Sequence, residues 1–160
     1  KQRTEMNLSI SFAVHREVRM AAYHYTHKAQ YYETDQMGII HHSNYIRWFE
    51  EARVGFLDSI GCPYSYMEEQ GIVSPVLEVS CQYHSMVHFS DLVDITVSVE
   101  AFNGIKLTLK YEICDAQTGE LRTTGFSRHC FMDKSGKLLS LKRSYPAVYE
   151  MLCRQMTADQ

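Results

Sequence analysis

Residues 43–61, with the sequence SNYIRWFEEARVGFLDSIG, carry the pattern of one long amphipathic helix. Ser43 or Asn44 is predicted to cap its start, because each side chain offers an oxygen to the free N–H groups of a first helical turn. Gly61 and Pro63 are predicted to end it. Apolar side chains recur at helical spacing and predict a buried stripe, namely Tyr45, Phe49, Ala52, Phe56 and Ile60. Charged side chains take most other positions, namely Arg47, Glu50, Glu51, Arg53 and Asp58.

Five strands are predicted around this helix. Three of them alternate apolar and polar residues with a period of two, which is typical of a strand with one buried and one wet face. The predicted strands cover residues 25–31, 77–84, 93–101, 105–113 and 120–132.

Short connections join the later strands. Asn103-Gly104 predicts a tight hairpin, because a type I′ turn needs positive φ at both central residues. A bulge is predicted near Gly125, where the alternation of the last strand is interrupted. A short helix is predicted near Tyr64–Gln70 and another from about Ala147.

The order of these elements predicts an α+β protein, in which one long helix covers the apolar face of a five-stranded antiparallel sheet. A single domain is expected over residues 23–156, since the chain shows no repeat or linker. Residues 1–22 are expected to be an N-terminal extension that is disordered or not part of the native protein.

The composition excludes several classes of partner. A net charge of −3 gives no basic field for nucleic acid, and no apolar run is long enough to span a bilayer. The five cysteines are scattered and form no CxxC pair, which argues against a disulfide framework and favours a cytoplasmic location.

Chemistry is concentrated just before the long helix, in YYETDQMGIIHHSNY of residues 31–45. Asp35 stands upstream of the helix start, where about four backbone N–H groups lack intrahelical partners and carry partial positive charge. Such a placement can aim a carboxylate and N–H donors at one substrate carbonyl. Taken without further context, the same aspartate would be a turn or capping residue.

This segment resembles the acyl-CoA thioesterases of the 4-hydroxybenzoyl-CoA thioesterase type, which have the hotdog fold. Those proteins carry an aromatic residue, a Thr-Asp or Cys-Asp pair, a glycine-containing loop, an apolar pair, two aromatic or histidine residues, and Asn-Tyr opening the helix. The matching residues here are Tyr31, Thr34-Asp35, Gly38, Ile39-Ile40, His41-His42 and Asn44-Tyr45.

The resemblance implies specific roles for these residues. Asp35 would be the catalytic carboxylate, acting as general base or nucleophile, and the backbone N–H of His42 would polarise the thioester carbonyl. Tyr31, His41 and Gly38 would contact the substrate. The resemblance also implies an acyl-CoA substrate and a homodimer, with a homotetramer left open. No cofactor is expected, because coenzyme A belongs to the substrate.

Two other functions fit the same fold. A hotdog hydratase or dehydratase would be expected to show an Asp-x4-His dyad or an HFPGHP-type segment, but His41 and His42 follow Asp35 at the sixth and seventh positions. A non-catalytic acyl-binding module would bind ligand without turnover.

The remaining charged residues are less informative. No metal is expected, since His84 and His88 do not have the helical HExxH arrangement and adjacent histidines make a poor ligand pair. Candidate contacts for the phosphates of coenzyme A are scattered, and the sequence does not choose among Lys106, Lys110, Arg122, Arg128, Lys134 and Lys137.

Overall fold

The strands form one antiparallel sheet. A computed structural model describes residues 22–156. Its strands are β1 Tyr23–Lys28, β2 Val76–Tyr83, β3 Leu92–Phe102, β4 Lys106–Asp115 and β5 Leu121–Cys130. They lie side by side in the order β1-β3-β4-β5-β2, and every neighbouring pair is antiparallel. The predicted five-stranded antiparallel sheet is therefore confirmed.

Four α-helices accompany the sheet within residues 22–156. They are α1 His42–Ser59, α2 Tyr64–Glu69, α3 Leu141–Ser144 and α4 Pro146–Cys153. Helix α1 packs on the inner face of the sheet and contacts β1, β2 and β3. The inner residues of β3 are among the most buried of the described residues, as the alternation predicts. The α+β hotdog architecture is thus confirmed. Within residues 22–156, no helix is long and apolar enough to cross a membrane.

Most of the predicted stripe of α1 is buried. Tyr45, Phe49, Ala52 and Phe56 are each at most 3% exposed. Trp48 is also completely buried. Arg53, which the pattern assigns to the polar positions, is buried as well, because its guanidinium hydrogen-bonds to His129 within the core.

The start of α1 differs from the prediction. The helix begins at His42, and His41 is its N-cap, so the predicted cap at Ser43 or Asn44 is wrong. Asn44 is buried, and its side-chain Nδ2 donates a 2.7 Å hydrogen bond to the carbonyl of Glu33. His41 caps the helix because its imidazole can accept from the Ser43 N–H, whereas the side chain of Asn44 binds the carbonyl of Glu33 in the preceding loop.

The first strand ends earlier than predicted. Strand β1 ends at Lys28, and Tyr31 begins a short 3-10 turn that extends to Glu33. The Gln30 N–H donates to the carboxylate of Glu33 at 2.7 Å, which closes this turn and stops the strand. The predicted extension 1–22 lies outside the described residues, apart from Ala22.

The β3–β4 hairpin is confirmed, but its turn is not type I′. Gly104 has φ +85°, whereas Asn103 is not among the described residues with positive φ. Instead, Asn103 Oδ1 accepts hydrogen bonds from the N–H groups of Ile105 and Lys106, at 3.0 and 2.8 Å. The connection therefore contains three residues between the strands.

Gly125 lies in regular strand pairing, so the predicted bulge is wrong. Register shifts occur elsewhere, for example between Ile113 and Cys114. A Cβ at Gly125 would overlap the carbonyl oxygen of Ser80 and the ring of Phe49. The glycine thus allows Phe49 to approach the sheet, where its ring stacks on Tyr111 with centroids 4.3 Å apart.

Candidate active site

Asp35 lies in a tight turn that precedes α1. Its backbone N–H donates to the carbonyl of Ile39 at 2.8 Å, and its own carbonyl accepts from Gly38 at 3.0 Å. The carboxylate Oδ1 accepts from the Met37 N–H at 2.8 Å, as a turn-forming aspartate does. The second oxygen, Oδ2, has no hydrogen-bond partner in the described part of the chain. One oxygen of the Asp35 carboxylate thus stabilises the turn, and the other is available to bind a substrate.

The first N–H of α1 also has no acceptor among residues 22–156. His41 caps the helix, since its Nδ1 accepts from the Ser43 N–H at 3.3 Å. Within residues 22–156 the backbone N–H of His42 has no acceptor. An unpaired N–H at a helix start carries partial positive charge and is suited to an oxygen that becomes negative during reaction.

One cavity brings Asp35 and His42 together. It has a volume of about 320 Å³ and opens between the Asp35 turn, the start of α1 and the end of β2. The cavity wall combines these two residues with a mainly apolar lining, which consists of Met37, Ile39, Ile40, Tyr45, Tyr83, His84, Ser85 and Met86.

The other three predicted site residues lie outside that lining. Tyr31 is 75% exposed, and its ring makes an edge contact with Phe89. His41 contributes the cap, and its ring packs on that of His42 with centroids 4.1 Å apart. Gly38 has φ +76°, a conformation that glycine adopts without steric cost, and so shapes the Asp35 turn.

Tyr83 joins the end of β2 to the start of the helix. Its hydroxyl donates a 3.0 Å hydrogen bond to the carbonyl of His42. Its ring makes an edge contact with that of Tyr45, with centroids 5.1 Å apart. The sequence indicates that Tyr83 lies in a strand, but no local pattern connects it to a helix that begins 41 residues earlier.

Glu33 is a buried carboxylate two residues before Asp35, and it is not among the predicted site residues. Its Oε1 accepts from the indole N–H of Trp48 at 2.7 Å, and its Oε2 accepts from the Gln30 N–H at 2.7 Å. Its backbone carbonyl accepts from the His41 N–H at 2.9 Å and from Asn44 Nδ2 at 2.7 Å. Glu33 therefore joins the loop that carries Asp35 to the start of α1 and to Trp48 in its second turn.

The environment of Glu33 favours its charged form. Burial by itself raises the pKa of this carboxyl, but hydrogen bonds from Gln30, His27 and Trp48 outweigh it and lower the pKa below its ordinary value. His27 Nε2 lies 3.0 Å from Glu33 Oε2, and its ring packs against Trp48.

The signal that could have identified Glu33 is its spacing of three residues from Gln30, which is typical of a capping box.

The candidate phosphate-binding cations differ in their position relative to the cavity. Three of the six pair with carboxylates: Lys110 with Glu112, Arg122 with Asp115 and Arg128 with Glu78. Arg122 also donates to the hydroxyl of Ser85, which lines the cavity. Among these three, Arg122 is therefore the cation that touches the cavity wall.

The chain matches the model of the Thioesterase-like superfamily over residues 30–154. It is 34% identical over 120 residues to YneP of Bacillus subtilis, provisionally named as an acyl-CoA thioesterase, covering 74% of this chain and 86% of YneP. It is 35% identical over 119 residues to a protein of Aquifex aeolicus provisionally named as an esterase, covering 74% of this chain and 91% of that protein.

A solved structure gives the same result. The DHNA-CoA thioesterase of Staphylococcus aureus superimposes with a TM-score of 0.78 at 34% identity, over 82% of this chain and 88% of that one. The chain therefore belongs to the Thioesterase-like superfamily, and the prediction of a thioester hydrolase with the hotdog fold is confirmed.

Proposed function

We propose that the protein hydrolyses acyl-CoA thioesters at the cavity between Asp35 and the start of α1. The observation that carries this proposal is the shared cavity itself. In the part of the chain that the structure describes, one oxygen of its carboxylate, Asp35 Oδ2, and the backbone N–H of His42 have no hydrogen-bond partner. Acyl-CoA is the substrate class because YneP and the staphylococcal protein are named for thioesters of coenzyme A.

The two groups would act on opposite sides of the reaction. The thioester carbonyl oxygen would accept from the His42 N–H, which stabilises the negative charge that develops on it. As a general base, Asp35 would take a proton from the attacking water, the C–S bond would break, and the departing sulfur of coenzyme A would receive that proton, which gives free acid and free thiol. As a nucleophile, Asp35 would attack the carbonyl carbon and expel coenzyme A as its thiolate, and water would then cleave the mixed anhydride to the free acid and the regenerated carboxylate. Neither route requires a cofactor.

The exposed edge of the sheet supports a homodimer. Strand β2 is the last strand of the sheet, and it carries exposed apolar side chains at Val76, Leu77, Val79 and Tyr83. An edge of this kind is a site for pairing with another chain. We therefore propose a homodimer built on β2, or a homotetramer of such dimers, acting in the cytoplasm. Sedimentation equilibrium tests the assembly, and a monomer at working concentration would overturn it.

The direct test is a panel of short, medium, long and aromatic acyl-CoAs, with release of the free thiol measured for the wild type and Asp35→Asn. Asparagine keeps an oxygen that can accept from the Met37 N–H, so the turn is preserved while the charge is removed. The expected fall in kcat is about 10²- to 10⁴-fold.

A matched control is Asp133→Asn. Asp133 Oδ1 accepts from the N–H groups of Ser135 and Lys137 in a comparable turn, and Asp133 does not line the candidate cavity. This control is expected to keep wild-type activity. The proposal is overturned if the wild type cleaves no thioester, or if Asp35→Asn is as active as the control.

A further inference from the structure

A second polar cluster is buried farther along α1. The Arg53 guanidinium donates to His129 Nδ1 at 2.7 Å, and His129 Nε2 lies 2.7 Å from the hydroxyl of Ser127. The Ser127 hydroxyl in turn lies 2.7 Å from the hydroxyl of Tyr111. All four residues are at most 5% exposed. The chain of hydrogen bonds runs from α1 across β5 to β4.

Among the described residues, this cluster has one donor hydrogen more than it has hydrogen bonds. Arginine only donates, so His129 Nδ1 is the acceptor and its Nε2 carries the hydrogen that goes to Ser127. Ser127 and Tyr111 then have two hydroxyl hydrogens but share a single hydrogen bond. One hydroxyl hydrogen is left without an acceptor among the described residues, and leaving such a group unpaired is costly.

The protonation states in this count are stable. Burial and, secondarily, the charge of Arg53 lower the pKa of His129 to about 3, so its imidazole is neutral near neutral pH. Burial raises the pKa of Tyr111 to about 12, so this hydroxyl keeps its hydrogen. The surplus donor is therefore present under all ordinary conditions.

A small cavity lies next to the surplus donor. Its volume is about 50 Å³, and Arg53, Tyr111, Ser127 and His129 all line it. The remaining lining residues are Ile46, Phe49, Glu50, Val76 and Val79. Ile46, Val76 and Val79 are exposed apolar residues and Glu50 is an exposed carboxylate, so the mouth of the cavity is apolar except for Glu50, and its end is polar. Val76 and Val79 belong to the β2 edge that is proposed above to pair between protomers, so this mouth would lie beside the dimer interface.

This small cavity is aligned with the candidate active site. His42, Tyr45, Ile46, Phe49 and Arg53 follow one another on the same side of α1. Strand β2 runs beside them, with Tyr83 at the active-site cavity and Val79 and Val76 at the small one. Phe49 and Glu50 follow His42 by seven and eight residues, which corresponds to about 10–12 Å along the helix axis.

We propose that the small cavity is the far end of the acyl site and binds a neutral oxygen, foremost a hydroxyl, at the end of a medium-length acyl chain. The inference rests on the thioesterase function proposed above. The hydroxyl oxygen would accept the surplus hydrogen of Ser127 or Tyr111, while the apolar stem of the chain would lie along Ile46 and Val79. The substrate class is thus an ω-hydroxyacyl-CoA.

A carboxylate is a poorer fit for the same cavity. Glu50 already pairs with the Arg53 guanidinium, so the cluster has no unbalanced positive charge. A second carboxylate would face Glu50 in a partly dry site, which is unfavourable. The surplus in the cluster is one of hydrogen-bond donors. A neutral hydroxyl can accept that hydrogen without adding charge, and its own hydrogen can be donated to the carboxylate of Glu50, which lines the same cavity.

The test compares decanoyl-CoA with ω-hydroxydecanoyl-CoA. For the wild type, kcat/KM is expected to be about tenfold higher for the hydroxylated substrate, because a site with a buried unpaired donor discriminates against the analogue that cannot pair with it. An equal or lower value for the hydroxylated substrate would overturn the inference and would mean that the cavity holds only water.

The double variant Ser127→Ala/Tyr111→Phe removes both hydroxyls from the cavity wall and is expected to abolish the preference. Tyr111→Phe alone, expected to lower the preference about threefold, keeps the test valid if the double variant does not fold. Thr123→Val is the matched control, because it removes a buried hydroxyl from the same strand that lines neither cavity. Thr123→Val is expected to keep the wild-type preference for the hydroxylated substrate. If Tyr111→Phe and the double variant also keep that preference, the inference is wrong.

Failure of the thioesterase function is detected separately. If neither thioester is cleaved, the proposed function fails. The inference is then decided by binding, measured as the dissociation constants of the two thioesters from the Asp35→Asn variant. About tenfold tighter binding of ω-hydroxydecanoyl-CoA would support the cavity as its site. Equal binding would overturn it. If decanoyl-CoA is cleaved without discrimination, the function stands and the inference is wrong.

Discussion

The carboxylate of Glu33 and the indole of Trp48 form a buried 2.7 Å hydrogen bond between the loop before α1 and the second turn of that helix. The backbone carbonyl of Glu33 holds Asn44 and His41 at the start of the same helix. A single residue thus fixes both the loop that carries Asp35 and the N–H group of His42. Its contribution to activity is expected to come through this positioning.

Replacing Glu33 by glutamine tests that role. The amide NH2 would face one of the donors that the carboxylate now accepts, from Gln30, His27 or Trp48. The free energy of unfolding is expected to fall by about 1–3 kcal/mol, and kcat is expected to fall with it. Urea denaturation and thiol release measure the two effects. Glu78→Gln is the control, because Glu78 pairs with Arg128 on the surface and should cost no more than about 1 kcal/mol.

The neutral state of His129 predicts a dependence of stability on pH. Its folded pKa is about 3, below the value of about 6.5 in an unfolded chain. The unfolded state therefore binds more protons below about pH 6.5, and stability is lost as the pH falls toward the folded pKa.

His129→Gln isolates this contribution, since glutamine can accept from Arg53 and donate to Ser127 without titrating. Between about pH 6 and pH 4, the wild type is expected to lose up to about 1.4 kcal/mol per pH unit relative to the variant. Urea denaturation at several pH values gives the difference. A difference that does not change with pH would show that His129 is not held neutral.

The sequence predicted the fold because period and spacing are local signals. Alternation in β3 and the helical spacing of Tyr45, Phe49 and Ala52 required no tertiary knowledge. The motif around Asp35 is likewise contiguous. Tyr83 and His129 were missed as parts of polar networks, because their partners lie 41 and 76 residues away and nothing near them in sequence marks the pairing. Glu33 has a local signal in its spacing from Gln30, but its hydrogen bond to Trp48, 15 residues away, has none.

The interruption of the alternation at Gly125 does not come from a bulge. The break in alternation is real, but its cause is the approach of Phe49 and of the Ser80 carbonyl rather than a bulge. That cause lies on another element, so periodicity within β5 could not reveal it.

Gly125→Ala is therefore expected to destabilise the protein by about 1–3 kcal/mol through overpacking. Phe49→Leu, which reduces the ring contact, should recover part of this loss when it is combined with Gly125→Ala. A double-mutant cycle from urea denaturation measures the coupling, and additive effects would contradict the proposed contact.

The assignment of the His42 N–H as the oxyanion donor can be tested without changing the rest of the helix. Proline is tolerated at the first position of a helix, where its missing N–H has no intrahelical acceptor. His41 has φ −63° and ψ 135°, which is the conformation preferred before proline. His42→Pro should therefore fold while lacking the donor, and kcat is expected to fall about 10²- to 10³-fold.

His42→Ala separates the backbone from the imidazole, since it removes the ring and keeps the N–H. A much larger loss of kcat in His42→Pro than in His42→Ala is expected, with both variants compared at equal fractions of folded protein by circular dichroism. Equal losses would mean that the ring of His42, which packs on His41, carries the function. In that case Asp35 would act beside an imidazole, and the oxyanion would require a different donor from the cavity wall.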